Sequence, residues 1–191
     1  MKKILTFFLF TFLFFTNNNV SFSIEPDVFI QSTVNRAADT LGGNFTKNER
    51  IEQLKQIAKD TVDITGIGYY SLGSHRKSLS KEQLSTYKKA FEEYFLKSFS
   101  SRLAEYSNPE IEVISKNKLN KNYTIVLSKL VATDSRPEVK IEWRGYTKNP
   151  ENLLIRDLII EGLSLARTQN EEFSSVIESN NGDVTKLFST L

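Results

Sequence analysis

The spacing of apolar residues divides the chain into a helical part followed by a strand-rich part. Residues 25–41 have the spacing of a helix, and Gly42 and Gly43 are a plausible stop. Residues 46–62 begin with Thr46 and Glu49 at capping-box spacing and continue with an apolar stripe, which predicts a helix docked on a core. Ser80 and Gln83 form a second capping box ahead of the longest predicted helix.

This longest helix is unusually aromatic. Its apolar positions recur at steps of three and four residues and are Leu84, Tyr87, Phe91, Tyr94, Phe95, Phe99, Leu103 and Tyr106. An ordinary helix packed on a sheet would explain the pattern. A stripe of this bulk is also what one wall of a large apolar pocket requires.

From residue 110 onward the apolar residues alternate with polar ones. Four segments joined by short polar connections have this period of two: residues 110–116, 122–132, 138–146 and 152–162. The third places Val139, Ile141 and Trp143 on one face of a strand. A further helix is expected from about Ser164 to Ser179, and a short one after it. The pattern predicts one α+β domain, with helices covering one face of a four-stranded antiparallel sheet.

The N-terminus has the pattern of a secretory signal peptide. Lys2 and Lys3 precede an apolar run from Ile4 to Phe15, and small residues follow at Ser21 and Ser23. The run is shorter than the roughly 20 residues needed to span a bilayer, which disfavours a retained anchor. We therefore predict a signal peptide at residues 1–23 and a mature domain at residues 24–191.

Composition excludes several classes of function. The chain has no cysteine and one histidine, so a cysteine nucleophile, a thiolate zinc site and a multi-histidine metal site are ruled out by count. Without Lys2 and Lys3 the acidic and basic side chains are equal in number, which argues against a nucleic-acid partner. We expect no metal and no cofactor.

Candidate catalytic residues are few. Asp157, Glu161 and Ser164 could form a carboxylate pair with a nucleophile, but a serine needs an activating base. The single histidine, His75, lies about ninety residues away beside two cations, which is typical of a surface loop. A structural role fits Asp157 and Glu161 better, with Gly162 allowing a turn and Ser164 capping the next helix.

The order of these motifs resembles that of the MlaC family, also called toluene-tolerance or Ttg2-type auxiliary proteins. The resemblance rests on "YYSLGSHRKSLSKEQLSTYKKAFEEYF" (69–95), "RLAEY" (102–106), "RDLIIEGLSL" (156–165) and the terminal "NGDVTKL", and it spans roughly residues 28–191. The chain departs from the family pattern in two places. Leu153 stands where an aromatic residue is usual, and Gln169–Asn170 replaces a Tyr-Arg pair.

The resemblance implies a non-enzymatic periplasmic carrier of glycerophospholipids. Family members pass single lipids between an outer-membrane lipoprotein complex and an inner-membrane ABC transporter complex with an MCE-domain protein, and so maintain outer-membrane lipid asymmetry. The implied fold is a curved, NTF2-like sheet that encloses an apolar cavity with its helices. We expect a monomeric protein whose ligand is a phospholipid, with its acyl chains held in the cavity.

Combining the resemblance with the apolar pattern predicts a lining for this cavity. The predicted lining residues are Leu72, Phe91, Phe95, Phe99, Leu103, Val139, Ile141, Trp143, Leu163 and Leu165. Two alternatives stay open at this level: an NTF2-like enzyme that uses Asp157, and a ligand-free periplasmic interaction module with a filled core.

Overall fold

The computed structural model describes residues 24–191, so the predicted signal peptide lies outside the described residues. The helices are α1 (Pro26–Gly42), α2 (Lys47–Thr61), α3 (Ile64–Ser71), α4 (Lys81–Leu103), α5 (Leu165–Ser179) and α6 (Thr185–Phe188), and a 3₁₀ turn occupies Gly73–Ser78. The strands are β1 (Ile111–Lys118), β2 (Tyr123–Leu130), β3 (Val139–Tyr146), β4 (Leu154–Ile160) and β5 (Leu163–Ser164). Across residues 24–191, no helix combines the length and apolarity that a membrane span requires.

Local capping signals define where the helices begin. The Thr46 hydroxyl accepts a hydrogen bond from the Glu49 backbone N–H, and the Glu49 carboxylate accepts one from the Thr46 N–H at 2.8 Å. Ser80 and Gln83 make the same reciprocal pair at the start of α4. Both predicted capping boxes are confirmed.

The strands form one antiparallel sheet in the order β1-β2-β3-β4-β5. The α+β class and the meander are confirmed, but the count of four strands is wrong because β5 adds a fifth. Glu161 and Gly162 turn the chain back after β4 with φ of 49° and 83°, so that Leu163 and Ser164 pair with Ile160 and Ile159. A two-residue strand is too short to show alternation, which is why the sequence pattern missed it.

Side-chain register places the apolar side of the sheet under α1. Trp143 pairs with Val126 on one neighbouring strand and with Leu158 on the other. These three side chains pack with Ile30 and Val34 of α1. Residues on the opposite side of β3, such as Lys140 and Glu142, are more exposed, as the alternation predicted.

Candidate functional site

The aromatic stripe of α4 forms a continuous stack of rings. Tyr87, Phe91, Phe95 and Phe99 lie one turn apart, and successive ring centroids are 5.7, 6.1 and 5.5 Å apart. Tyr87 and Phe91 are fully buried, whereas Phe95 and Phe99 are only partly buried. The stack therefore runs from the core toward the protein surface.

Helices α3, α5 and α6 surround the buried end of this stack. Phe173 meets the Phe91 ring edge-on at 6.1 Å, and Leu72 is fully buried in the same group. Gly68 lets α3 approach closely, since a Cβ at that position would lie 2.7 Å from the Phe91 ring. We call this group of side chains from α3 to α6, together with Ala58 of α2, the helical cluster.

One hydrogen bond ties the helical cluster together at its centre. The Tyr87 hydroxyl donates to the Gly68 carbonyl at 2.9 Å. Burial disfavours the phenolate and raises the pKa of Tyr87 far above its ordinary value of 10. Tyr87 is thus a neutral donor that fixes α4 against α3.

The sheet and α1 form a second apolar group, which we call the sheet cluster. Its buried members are Ile30, Val34, Val126, Leu130, Ile141, Trp143 and Ile155. The Trp143 indole N–H donates to the Ser128 hydroxyl at 2.8 Å, and both residues are buried. Val62, after the end of α2, packs against both clusters and so lies at the junction between them.

The ten residues predicted to line a cavity fall into four places. Leu72, Phe91, Phe95 and Phe99 belong to the helical cluster, and Val139, Ile141 and Trp143 belong to the sheet cluster. Leu103 packs against a third group that includes Leu41 and Leu54. Leu163 and Leu165 are exposed at 60% and 40%. That these residues together line one cavity stays a prediction.

Asp157 is buried in β4 and holds the start of α5. Its carboxylate accepts hydrogen bonds from the Ser164 hydroxyl at 2.7 Å and from the Ala166 backbone N–H at 3.0 Å, and it lies 3.4 Å from an Arg144 guanidinium nitrogen. The Ser164 hydroxyl in turn accepts from the Arg167 N–H and caps α5. These contacts support a structural role for Asp157, as the sequence predicted.

Arg156, the neighbour of Asp157, anchors another helix. Its side chain donates to Asp63 at 2.6 Å and to the Tyr123 hydroxyl at 2.7 Å, and it lies 3.8 Å from the centre of the Tyr146 ring. Burial disfavours the charged guanidinium, but the hydrogen bonds to Tyr123 and Asp63 outweigh it and raise the pKa of Arg156. Asp63 also caps α3 by accepting from the Gly66 N–H.

Sequence reasoning missed this second anchor. A register shift opposite Arg144 and Gly145 places Arg156 in a bulge, so two consecutive polar residues of β4 both find internal partners. The signal available was an arginine-aspartate pair inside an otherwise apolar strand. Together, Arg156 and Asp157 fix the starts of α3 and α5 to the sheet.

Gln169 and Asn170, which stand where the family pattern has a Tyr-Arg pair, both make contacts between helices. The Tyr94 hydroxyl donates to the Gln169 side chain at 3.1 Å, which joins α4 to α5. The Asn170 amide donates to the Tyr70 and Ser71 carbonyls at 3.2 and 3.0 Å, which joins α5 to the end of α3. These polar pairs hold helix to helix without adding an ionised group.

Comparison with known families now identifies the chain. A model of the MlaC protein family matches residues 31–191, which is most of this chain. The chain belongs to the MlaC family. A search of curated proteins found no significant match.

A solved structure shows the same fold as this MlaC-family chain. It is a phospholipid-binding protein from Ralstonia solanacearum in complex with a phospholipid. The TM-score is 0.73 at 18% sequence identity, over 87% of this chain and 94% of that one. The two proteins therefore share one architecture over almost their whole lengths.

Among residues 24–191, no group of acidic or histidine side chains is arranged to hold a metal ion.

Proposed function

We propose that this chain is a non-catalytic periplasmic carrier that holds the acyl chains of one glycerophospholipid between its helices and its sheet. The observation that carries the proposal is the shared fold with a family relative whose structure was solved in complex with a phospholipid. The aromatic stack of α4 supports it, since Phe95 and Phe99 remain partly accessible at the edge of the helical cluster.

The physical requirement for such a carrier is an apolar interior. Burying one methylene group is worth about 0.8 kcal/mol, so two long acyl chains gain on the order of 20 kcal/mol over water. A bilayer offers the same gain, so loading and unloading are nearly balanced. We propose that docking partners set the direction, namely an outer-membrane lipoprotein complex and an inner-membrane ABC transporter complex with an MCE-domain protein, in a system that maintains outer-membrane lipid asymmetry.

The arrangement of Asp157 supports a carrier over the enzyme alternative. Its carboxylate is used by Ser164, Ala166 and Arg144. The Ser164 hydroxyl is used by Asp157 and by the start of α5. The hydrogen bond between Ser164 and Asp157 is therefore part of the helix start, because the same hydroxyl accepts from the Arg167 N–H and the same carboxylate accepts from the Ala166 N–H.

The test is mass spectrometry of an organic extract from protein purified after expression of the full chain. We expect roughly one phospholipid per protein molecule. Repeated absence of lipid from folded protein, including after incubation with phospholipid vesicles, would contradict the proposal and favour the ligand-free interaction module.

Matched variants locate the lipid. Phe95→Gln places an amide in the partly buried stack, and we expect it to lower the bound lipid at least severalfold because an amide among acyl chains lacks hydrogen-bond partners. Tyr106→Gln is the control, since Tyr106 is an aromatic residue 44% exposed beyond the end of α4. Equal lipid content in the two variants would place the ligand elsewhere.

The Asp157→Asn variant tests the enzyme alternative. We expect it to retain lipid at the wild-type level, whereas loss of a turnover detected in wild type would support an enzyme.

A further inference from the structure

The helical cluster and the sheet cluster meet over a narrow apolar contact. They have no buried residue in common, and within residues 24–191 Val62 is the one partly buried side chain that packs against both. Acyl chains held between the helices and the sheet, as proposed above, lie along this boundary. The contacts that hold the two clusters together at Val62 therefore bear on how a lipid enters and leaves.

Backbone contacts hold the corner between α2 and α3 against strand β4. Val62 bridges Ile155, and the Asp63 N–H donates to the Ile155 carbonyl at 2.9 Å. The Asp63 carboxylate divides its two oxygens between separate partners. One oxygen accepts from the Gly66 N–H at 2.8 Å and caps α3, and the other accepts from the Arg156 guanidinium at 2.6 Å.

Two tyrosines of the sheet hold the other side of Arg156. Tyr123 and Tyr146 are partners in the ladder between β2 and β3, and their ring centroids are 5.4 Å apart. The guanidinium donates to the Tyr123 hydroxyl at 2.7 Å, and its central carbon lies 3.8 Å from the centre of the Tyr146 ring. A planar guanidinium can bind a carboxylate along its edge and an aromatic ring on its face. The Arg156 side chain thus connects three strands to the α2–α3 corner.

The two anchors of β4 differ in how easily water can replace them. The side chains of Arg156 and Asp63 are 30% and 16% exposed, whereas the side chain of Asp157 is 2% exposed. Separating a partly exposed ion pair leaves both charges in contact with water, whereas a buried carboxylate that loses its partners is left without solvation. The contact between Arg156 and Asp63 is therefore the easier of the two to open.

The connectivity of the chain leads to the same assignment. Residues 161–164 alone separate the end of β4 from the start of α5, and two of them pair with β4 as strand β5. The start of α5 therefore stays close to the sheet. The α2–α3 corner has no such tether, since Asp63 and Arg156 lie 93 positions apart in the chain.

We infer that the ion pair between Arg156 and Asp63 is a clasp for lipid exchange, which closes the helical cluster against the sheet and opens at Val62 while the start of α5 stays attached. The inference rests on the proposed carrier function and adds the residues that set the rate of loading and release. In this scheme the clasp is closed with or without a lipid inside. Breaking it therefore raises the rate of exchange more than it changes the amount of lipid bound.

Transfer of a fluorescent lipid tests the clasp. The purified mature protein is loaded with pyrene-labelled phosphatidylethanolamine and mixed with vesicles of phosphatidylethanolamine and phosphatidylglycerol that contain a quencher. Asp63→Asn removes the charge but keeps an oxygen that can cap α3, and Arg156→Met keeps an unbranched apolar side chain. We expect each variant to raise the transfer rate at least threefold, with the lipid content of the purified protein close to that of wild type.

A matched control and a double variant make this test specific. Asp60→Asn removes a carboxylate that accepts from Arg36 at 2.7 Å in the same kind of ion pair, but this pair joins α1 to α2. We expect its transfer rate to equal that of wild type. The double variant Asp63→Asn with Arg156→Met should be no faster than the faster single variant, because both substitutions remove one contact.

Hydrogen exchange provides a readout that does not depend on lipid. In lipid-free Arg156→Met we expect the Asp63 amide, which is bonded to Ile155, to exchange faster than in wild type. The Ala166 amide, which is bonded to Asp157, should keep its wild-type rate. Equal acceleration at both amides would contradict an opening confined to the α2–α3 corner.

Other outcomes would overturn the inference in different ways. If wild type transfers the lipid and Asp63→Asn transfers it at the same rate, the clasp is wrong and the carrier function stands. If wild type takes up no lipid, the proposed function fails and the clasp fails with it. A loss of bound lipid confined to Arg156→Met would make Arg156 a contact for the lipid phosphate instead. Tyr123→Phe removes only the outer hydrogen bond of Arg156, and it repeats the test with a smaller expected increase if Arg156→Met folds poorly.

Discussion

The helical cluster and the sheet cluster are held together by different forces. In the helical cluster, ring contacts join separate helices, with centroids 5.8 to 6.1 Å apart between α4 and α5 or α6. In the sheet cluster, a continuous backbone ladder joins β1 to β4, and α1 packs on one side of it. Ring contacts can be exchanged for other apolar contacts at little cost, whereas ladder hydrogen bonds cannot be stretched without loss.

This difference indicates how an acyl chain would be accommodated. Arg156 and Asp157 fix the first turns of α3 and α5 to β4, while the aromatic stack of α4 becomes more exposed toward Phe99. We therefore expect the sheet to act as the fixed wall and the helices to adjust around the ligand. A comparison of the two clusters by mutation sharpens this expectation.

The largest effect is expected at the centre of the aromatic stack. Phe91→Ala removes a fully buried ring that contacts Tyr87, Tyr94, Phe95 and Phe173, and it should lower the free energy of unfolding by about 3–5 kcal/mol. Ile141→Ala in the sheet cluster removes fewer atoms and should cost about 2–3 kcal/mol. Urea unfolding of lipid-free protein measures both. A larger loss for Ile141→Ala would mean that the sheet cluster contributes more to the free energy of unfolding than the helical cluster does.

Single hydrogen bonds give a finer comparison of the same two regions. Ser128→Ala leaves the buried Trp143 indole N–H without its acceptor, and we expect a loss of about 2 kcal/mol in the free energy of unfolding. Tyr87→Phe also removes one buried hydrogen bond, but the Gly68 carbonyl keeps the Leu72 N–H at 3.3 Å as a second partner. The expected loss is therefore smaller, about 1 kcal/mol.

Urea unfolding measures both variants. The comparison holds if the slope of the free energy of unfolding against urea concentration is unchanged. Ser128→Thr, which retains the hydroxyl, is a useful control for the sheet side. If Tyr87→Phe cost as much as Ser128→Ala, the helical cluster would depend on directional bonding as strongly as the sheet does.

Local signals in the sequence predicted the elements, and long-range contacts decided the rest. The capping boxes at Thr46 and Ser80 act within four residues, and so does the Ser164 cap. Strand alternation also predicted which side of β3 is buried. By contrast, Arg156 finds Asp63 across 93 positions, and Gln31 finds Val113 across 82. No periodicity in the chain encodes such pairings.

The predicted site shows the same limit. The rings of α4 share one face because helical spacing requires it, and they do lie together. Leu163 and Leu165 were predicted to line the cavity from the resemblance and their apolar character. The β5 turn and the first residue of α5 leave both exposed, and their part in a lining stays a prediction. Apolar character indicates that a residue is buried or binds an apolar ligand, but the tertiary fold decides where that residue lies.

The smallest expected effects are titrations at opposite ends of the pH scale. On the sheet side, the hydrogen bond from Lys116 lowers the pKa of Asp27 below its ordinary value of 3.8. The stability contributed by this carboxylate is present above that value and is lost as the pH falls through the lowered one. In the helical cluster, burial raises the pKa of Tyr87, so its contribution is complete below pH 10 and is lost as the pH rises beyond it.

Variants separate the two titrations. Hydrogen-exchange or urea measurements across pH should show that Asp27→Asn flattens part of the acid decline, while Tyr87→Phe flattens part of the alkaline decline. The raised pKa of Lys116 keeps its ammonium charged across the intervening range, because the side-chain hydrogen bonds to Asp27 and Glu25 favour the cation. An Asp27→Asn protein with the wild-type acid profile would mean that the ion pair between Lys116 and Asp27 contributes nothing measurable to folding.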